Sequence, residues 1–301
     1  MDIRHLRYFM AMVEGGSLSE ASRRLHVAQP ALSQRLADLE QELEVQLFVR
    51  GPSGIAVTEA GTELYARAAA IVKQLESARA AVREKAGHAQ GCVSIGILKS
   101  VAPIVATPLY LAIKQELPAV TPEIVVGYSD ELRQRLRASQ LDIAMQVHAA
   151  HEKCAPATLL YRERLCLVGP RPLVDLHPAP IRLEQLSGIP LILSSMQPSH
   201  RMLREEAARR GVALDIVGGI EDSKALLDVC ATGTAATLLA ESVAARRAGN
   251  AGLAYAPLDE PRLTRQVVVA LNDSVMKTGA IIAAEAILAR LLRERLEATL
   301  P

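Results

Sequence analysis

Apolar residues recur at helical spacing at the start of the chain. The apolar positions are Ile3, Leu6, Phe9, Met10 and Val13. Steps of three and four residues place them on one face, and this spacing predicts a first helix that ends at Gly15 and Gly16.

The sequence SLSE, residues 17–20, predicts the start of a second helix. In a capping box of this kind, the Ser17 hydroxyl accepts a hydrogen bond from the Glu20 amide, while the Glu20 carboxylate accepts one from the Ser17 amide. The second helix is expected to continue through Leu25.

A third helix is predicted over AQPALSQRLADLEQEL, residues 28–43, after the turn HVAQ. Pro30 suits the first helical turn, because its missing N–H would have no partner there. Four leucines at steps of four, three and four form one stripe that we expect to be buried. They are Leu32, Leu36, Leu39 and Leu43. The pattern predicts a helix, a tight turn and a helix.

The next segment, VQLFVRGPSGIAVT, alternates in polarity around Gly51, Pro52 and Gly54. Alternating runs that flank such a turn indicate a small hairpin. The hairpin is expected to form a wing beside the helices.

A long helix is predicted from Thr58, a suitable N-cap, to about Ala86. Its apolar positions repeat every 3.5 residues, the spacing of a seam between two helices. They are Leu64, Ala68, Ile71, Leu75, Ala78 and Val82. We expect this helix to pair with a second copy of itself. The alternative is a single amphipathic helix packed on its own domain.

From Cys92 onward, short apolar runs alternate with helical segments, and a long final helix is expected from about Val275. Strands this apolar, spaced by helices, predict sheets covered on both faces. About 210 residues is large for one such sheet, so we expect two α/β lobes with a ligand cleft between them. The predicted first lobe comprises residues 92–162 and 267–301, and the second comprises residues 163–266.

Composition narrows the class of protein. Half of the 301 residues are apolar and the net charge is +1, so the chain can bury a large core, and its charge alone indicates no partner. Charged residues interrupt the N-terminus, and no apolar run is long enough for a membrane span. We therefore expect a cytoplasmic protein with no membrane partner. The four cysteines form no CxxC pair, which is typical of reduced thiols.

The outer face of the predicted third helix carries short hydrogen-bonding residues rather than long charged ones, and such residues can contact base edges and phosphates. The candidate DNA-binding residues are Gln29, Pro30, Ser33, Gln34 and Arg35 on this helix, with Arg50 in the wing. Residues 1–60 contain six basic and eight acidic side chains, counted along the sequence. Binding would thus depend on doubling the module in a dimer. The alternative is a plain helical packing domain.

The segment from Asp2 to Gly61 resembles the N-terminal signature of LysR-type transcriptional regulators. The resemblance rests on the order F, V, GS, A, L, QPALS, LE, LF, R and TEAG, and within the family it is similar to the nitrogen-assimilation control branch. It implies an α/β multidomain protein with three parts. These are a winged helix-turn-helix over residues 1–58, a dimerising linker helix over 59–87, and a two-lobed effector domain over 92–301 similar to periplasmic binding proteins.

The resemblance also implies partners. They are double-stranded promoter DNA, further copies of the chain in a dimer and then a homotetramer, and a small effector; RNA polymerase is an additional candidate. It assigns DNA contacts to Gln29, Pro30, Ser33 and Arg50. Ala28 departs from the usual Ser or Thr, so the third helix is expected to lack a side-chain cap.

In this family the inducer lies between the lobes. Lys99 and Ser100 follow a predicted strand and precede a helix, so they are candidates for an anion site at a positive helix end. Further candidates follow later strands: Ser129, Gln146, Ser194, Ser195 and Met196. Two alternatives remain, a solvated Lys99 at a strand end and a cleft with no ligand.

Other site chemistries have weak support in the sequence. His148, His151 and Cys154 are spaced by three but follow a strand, in a predicted loop with no adjacent fourth ligand, so we expect no metal. Nucleophile and phosphate-binding motifs are missing, so we expect neither an enzyme nor a cofactor. The competing class is a two-lobed solute-binding protein or an enzyme with a helical appendage.

Overall fold

The computed structural model describes residues 1–51, 54–84, 89–149, 157–176, 178–195, 197–249, 252–260, 263–274 and 276–297. The helices are α1 (Ile3–Gly15), α2 (Leu18–Leu25), α3 (Gln29–Leu43), α4 (Glu59–Glu84), α5 (Ala102–Glu116), α6 (Ser129–Arg137), α7 (Arg171–Val174), α8 (Pro198–Arg210), α9 (Ser223–Ala231), α10 (Glu241–Arg247) and α11 (Gly279–Glu297). The strands are β1 (Phe48–Gly51), β2 (Gly54–Val57), β3 (Gly91–Leu98), β4 (Val120–Gly127), β5 (Ile143–Ala149), β6 (Thr158–Glu163), β7 (Leu165–Gly169), β8 (Pro190–Ile192), β9 (Asp215–Gly218), β10 (Thr237–Ala240), β11 (Ala254–Pro257) and β12 (Arg265–Leu271).

The N-terminal domain packs α1, α2 and α3 around one apolar core, with the β1–β2 hairpin beside them. Three of the four stripe leucines, Leu32, Leu36 and Leu39, are buried in this core, while Leu43 packs at its edge. The rings of Phe9 and Phe48 lie 5.5 Å apart, which ties the first helix to the wing. The helix-turn-helix and the wing predicted from the sequence are confirmed.

Only half of the predicted capping box at α2 forms. The Ser17 hydroxyl accepts from the Glu20 amide at 3.1 Å. The Glu20 carboxylate instead accepts from the guanidinium groups of Arg23 and Arg24, which hold its pKa below the usual value. Two cations one turn away bind a carboxylate better than a neutral amide does, so the prediction for Glu20 was wrong.

The long helix α4 begins as predicted after Thr58, whose hydroxyl accepts from the Gly61 amide at 3.0 Å. Gly61 is required here, because a Cβ atom would lie 2.4 Å from the Leu47 carbonyl oxygen. This close approach packs the start of α4 against the wing. The end predicted at about Ala86 lies outside the described residues.

The first lobe is built on a five-stranded sheet in the order β4-β3-β5-β12-β6. Strands β3, β4 and β5 are parallel, whereas β12 runs antiparallel to both β5 and β6. Helices α5, α6 and α11 contribute to the core on this sheet. Strand β6 escaped the sequence analysis because its residues are only partly buried and give no apolar run.

The second lobe contains the sheet β10-β7-β11 and the parallel pair β8-β9. A bridge from Leu191 to Ala236 joins β8 to the segment before β10. Apolar cores lie on both sides of these strands, as predicted for sheets covered on both faces.

The chain crosses between the lobes twice, after β6 and before β12. Glu163 belongs to β6, and Arg265 and Gln266 belong to β12, so all three residues lie in the sheet of the first lobe. The boundaries predicted from the sequence put all three in the second lobe, and this assignment was wrong. Glu163 and Arg265 meet at the base of the cleft.

Candidate DNA-binding surface and effector cleft

The outer face of α3 is accessible. Gln29, Pro30, Gln34 and Arg35 are exposed, and Ser33 is half-buried. Ala28, the N-cap residue, makes no side-chain hydrogen bond, as expected for alanine. The predicted face is therefore free to contact another molecule.

Local hydrogen bonds orient this face. The Ser19 hydroxyl donates to the Gln29 Oε1 at 3.2 Å, which orients the carboxamide and leaves its NH2 group available to donate. The Gln34 Nε2 donates to the Asp38 carboxylate at 2.8 Å, so Gln34 is held toward the acidic end of the helix. Gln29 is consequently the better oriented of the two amides for contacting a base edge.

The wing is anchored to α3 by Glu40, a residue without a predicted role. Its Oε1 accepts from the amides of Leu47 at 2.7 Å and Phe48 at 3.2 Å. This contact sets the distance between the α3 helix and the β1–β2 hairpin. The Arg50 side chain, predicted to contact DNA, lies outside the described residues.

The linker helix α4 divides into two parts. Ala68 has no accessible surface and Leu64 packs on the N-terminal core, so Ala68 cannot take part in the predicted seam with a second copy in this conformation. Ile71 is 44% exposed and Val82 is 74% exposed. The sequence pattern missed this division because α1 covers the first heptad of the helix.

The same helix is fixed to the first lobe of its own chain. The Lys73 Nζ lies 3.1 Å from the Asp142 Oδ1, and Asp142 is almost completely buried. Gln74 donates to the Ser274 carbonyl at 2.8 Å, and Ser77 donates to the Met276 carbonyl at 2.9 Å. These contacts were not predicted, because they join residues far apart in the sequence.

The cleft between the lobes contains an inner cavity of about 50 Å³. It brings together three of the predicted effector residues, Lys99, Ser100 and Ser129, with Tyr128 and Arg265, which the sequence analysis missed. The volume is well below that of a metabolite-sized pocket. The inner cavity is therefore too small to hold a metabolite in this structure.

Lys99 closes one side of this cavity. Its Nζ lies 3.6 Å from the Asp222 carboxylate and 5.2 Å from the centre of the Tyr128 ring. Burial opposes the charge, but the contacts with Tyr128 and Asp222 together raise the pKa of Lys99. Asp222 caps α9 in the second lobe, so the Lys99 ammonium bridges the lobes at a position that is still exposed to solvent.

A buried ion pair forms the base of the cleft. Arg265 contacts Glu163 at 2.5 Å, and their side chains are 6% and 0% exposed. Arg265 also donates to the Ser100 hydroxyl at 3.3 Å, while Glu163 accepts from the Ser242 amide of the second lobe at 3.0 Å. The four residues connect the two lobes through polar contacts.

The remaining predicted effector residues lie elsewhere. Ser194 and Ser195 line a separate surface depression, and Gln146 is buried outside the inner cavity, 3.3 Å from the His148 ring nitrogen. Met196 lies outside the described residues. Gln146, Ser194 and Ser195 therefore do not join Lys99 in the inner cavity.

Thiol and metal chemistry have little structural basis in the described part of the chain. Cys166 and Cys230 are fully buried, and burial raises their pKa values to about 12 and about 11. Such thiols are mostly protonated and unreactive near neutral pH. His151 and Cys154, two of the three residues considered as metal ligands, lie outside the described residues.

In the segments that are described, no helix is long and apolar enough to cross a membrane.

Comparison with known proteins gives a consistent result. Residues 3–62 match the bacterial regulatory helix-turn-helix protein, lysR family, and residues 86–292 match the LysR substrate binding domain. The nitrogen assimilation regulatory protein nac of Klebsiella aerogenes is 35% identical over 266 residues, which cover 88% of this chain and 86% of that protein. Its counterpart in Escherichia coli (strain K12) is 33% identical over 246 residues, or 81% and 80% of the two chains.

Solved structures share the fold along nearly the whole chain. A full-length OxyR variant from Pseudomonas aeruginosa has a TM-score of 0.72 at 22% identity and covers 97% of this chain and 95% of its own. Full-length CbnR in complex with its target DNA has a TM-score of 0.66 at 22% identity and covers 98% and 100%. The chain therefore belongs to the LysR family of transcriptional regulators, with a helix-turn-helix domain joined to a substrate-binding domain.

Proposed function

We propose that this regulator recognises a specific operator by placing the N-terminal half of α3 in the major groove. The carrying observation is the outer row formed by the exposed Gln29, Pro30 and Gln34 and the half-buried Ser33, opposite a buried leucine stripe. Short side chains allow close approach, and their donors and acceptors match base edges. The complex of CbnR with its target DNA, a protein of the same fold, supports this role for the domain.

Arg35 and Arg50 are proposed as phosphate contacts that flank this row. The Arg35 guanidinium is exposed at the side of α3, 3.5 Å from the His5 ring. A single domain carries few unpaired cations, because Glu20 occupies Arg23 and Arg24. Since phosphate neutralisation supplies much of the affinity for DNA, stable binding requires two domains on one duplex.

The dimer is proposed to form along the C-terminal part of α4. Ile71, Leu75, Ala78 and Val82 remain available there, and Ile71 and Val82 are large exposed apolar side chains. Two further exposed apolar patches support the assembly of dimers into a tetramer. These patches are Tyr110 with Leu111 on α5, and Ile216 with Val217 on the strand β9.

The effector is proposed to be a small molecule with an anionic group that binds between the lobes. Lys99 and Arg265 supply the positive charge near the inner cavity, and Ser100 and Ser129 supply hydroxyls. Because Lys99 and Arg265 are paired with Asp222 and Glu163, an anion must compete with those carboxylates. Binding would therefore change how the lobes close, which is the step that alters the spacing of the DNA-binding domains.

The DNA-binding proposal is tested by gel-shift titration of the DNA upstream of its own gene. Ser33→Glu places a carboxylate toward the bases and phosphates, where like-charge repulsion costs several kcal/mol, so affinity should fall at least about a hundredfold. Gln41→Glu adds the same charge at the exposed far end of α3 and should change affinity little. Equal binding by the two variants would contradict the assigned face. Wild-type affinity should also fall linearly with salt on logarithmic axes.

A further inference from the structure

A second and larger cavity lies between the lobes, beside the inner one. This outer pocket has a volume of about 320 Å³ and is lined by α6 and β5 of the first lobe and by α8 of the second. It shares Val147 and Pro198 with the inner cavity. Its volume lies at the lower end of the range for small-molecule sites, about 300–1,000 Å³.

Most of the charges that line the outer pocket are already neutralised. Arg201 contacts Asp130 across the two lobes at 2.9 Å. Arg209 contacts Glu206, and it holds the Glu206 pKa down at about 2, so this carboxylate is ionised. Both ion pairs are complete without a ligand.

Two lining charges are left, one of each sign. Within the described ranges, neither Arg133 nor Glu205 has an ion-pair partner, so the two side chains lie more than 4.0 Å from each other. The Arg133 Nε is buried and has no hydrogen-bond partner there. A buried donor without a partner is costly and often marks a place where a ligand or water binds.

We propose that the outer pocket binds a free amino acid with an apolar side chain. The carboxylate would pair with Arg133, and the ammonium group would pair with Glu205. The side chain would lie on the apolar part of the wall, formed by Val147, Ala149 and Met202. The inference goes beyond the proposed function, since it adds a second ligand site beside the inner cavity.

The placement of the two charges supports a ligand of both signs. Arg133 lies on α6 of the first lobe and Glu205 lies on α8 of the second. A simple anion would satisfy Arg133 but would be repelled by Glu205, and an amine would have the opposite difficulty. An amino acid joins the two lobes through one charge-assisted contact on each side, so its binding selects a particular degree of closure.

The test is calorimetric titration of the full-length protein with L-leucine and L-methionine. Isocaproate lacks only the amino group of leucine, and isoamylamine lacks only the carboxylate. A charge-assisted hydrogen bond contributes enough that each analogue should bind at least roughly tenfold more weakly than L-leucine. Arg133→Gln should weaken L-leucine at least roughly tenfold without changing the affinity for isoamylamine, and Glu205→Gln should do the same without changing the affinity for isocaproate.

Arg137→Gln on the exposed face of α6 and Glu294→Gln on α11 are matched controls that should keep full L-leucine affinity. No heat with either amino acid, or L-leucine affinity equal to wild type in the Arg133→Gln and Glu205→Gln variants, would overturn the proposal. Gel-shift titration without added ligand separates this failure from failure of the proposed function. Loss of amino-acid binding with intact DNA binding overturns only the pocket, whereas protein that ignores DNA overturns the proposed function itself.

Discussion

Substitution of Lys73 should undock the linker helix from the first lobe. The Lys73 Nζ contacts Asp142 at 3.1 Å, and the two side chains are 17% and 4% exposed. Asp142 also accepts from the amide and the hydroxyl of Ser94, each at 2.8 Å. Lys73→Met keeps the aliphatic stem and the helix propensity but leaves the Asp142 carboxylate without its cation.

The size of the effect follows from this environment. Removing one partner of a fully buried ion pair costs about 3–5 kcal/mol. Lys73 is partly exposed and Asp142 keeps its two hydrogen bonds to Ser94, so we expect a loss of about 2 kcal/mol, or roughly thirtyfold in the docking equilibrium.

The measurement is urea unfolding of wild type, Lys73→Met, Asp142→Asn and the double variant. The coupling free energy from this cycle should be about 1–3 kcal/mol. Lys277→Met is the matched control, because Lys277 and Asp273 form an exposed pair at 3.5 Å, and such pairs contribute at most about 1 kcal/mol. A cycle with no coupling, or equal losses in Lys73→Met and Lys277→Met, would refute the docked position of the linker helix.

Three further predictions concern assembly, pH and the cleft. Ile71→Glu should reduce the molar mass of the oligomer measured by light scattering, whereas Ile282→Glu, at an exposed site on α11, should not. An unchanged mass for Ile71→Glu would exclude a dimer seam along the C-terminal part of α4. Burial lowers the pKa of His200 below its usual 6.5. Below about pH 6.5 the unfolded chain therefore takes up a proton that the folded chain does not. The contribution of neutral His200 to the free energy of unfolding should be complete above about pH 6.5 and should fall as the pH drops below it. His200→Gln should flatten this slope in urea titrations, and an unchanged slope would assign the pH dependence to other groups. Arg265→Met should lower the free energy of unfolding by about 3–5 kcal/mol, since it leaves the buried Glu163 carboxylate without its cation. The double variant Arg265→Met with Glu163→Gln should recover part of that loss. An Arg265→Met variant as stable as wild type would contradict the buried pair.

The sequence predicted elements well where a local period determines them. The leucine stripe of α3 and the turn residues of the wing each lie within one short segment, so their spacing fixes the buried face and the chain reversal. The short apolar runs after Cys92 likewise predicted most strands of the two lobes. The LysR signature in residues 2–61 indicates the family because it is a fixed order of residues within one contiguous segment.

The site required more than local pattern. Ala68 follows the heptad spacing of a self-pairing helix, yet it has no accessible surface within its own chain. Glu20 fits a capping box, yet its carboxylate binds two arginines. In both cases the residue had a competing partner that spacing within one element does not reveal.

By itself, the sequence determined the helices and wing of the N-terminal domain, most strands of the two lobes, the polar outer face of α3 and the family, because periodicity and motif order are properties of contiguous residues. Only the tertiary structure decided which charges meet. Lys99 pairs with Asp222 rather than remaining free for an anion, and Glu163 pairs with Arg265 across 102 residues of sequence. Such pairs depend on how separate elements pack, and buried charges are stable only where that packing brings opposite signs within hydrogen-bond distance.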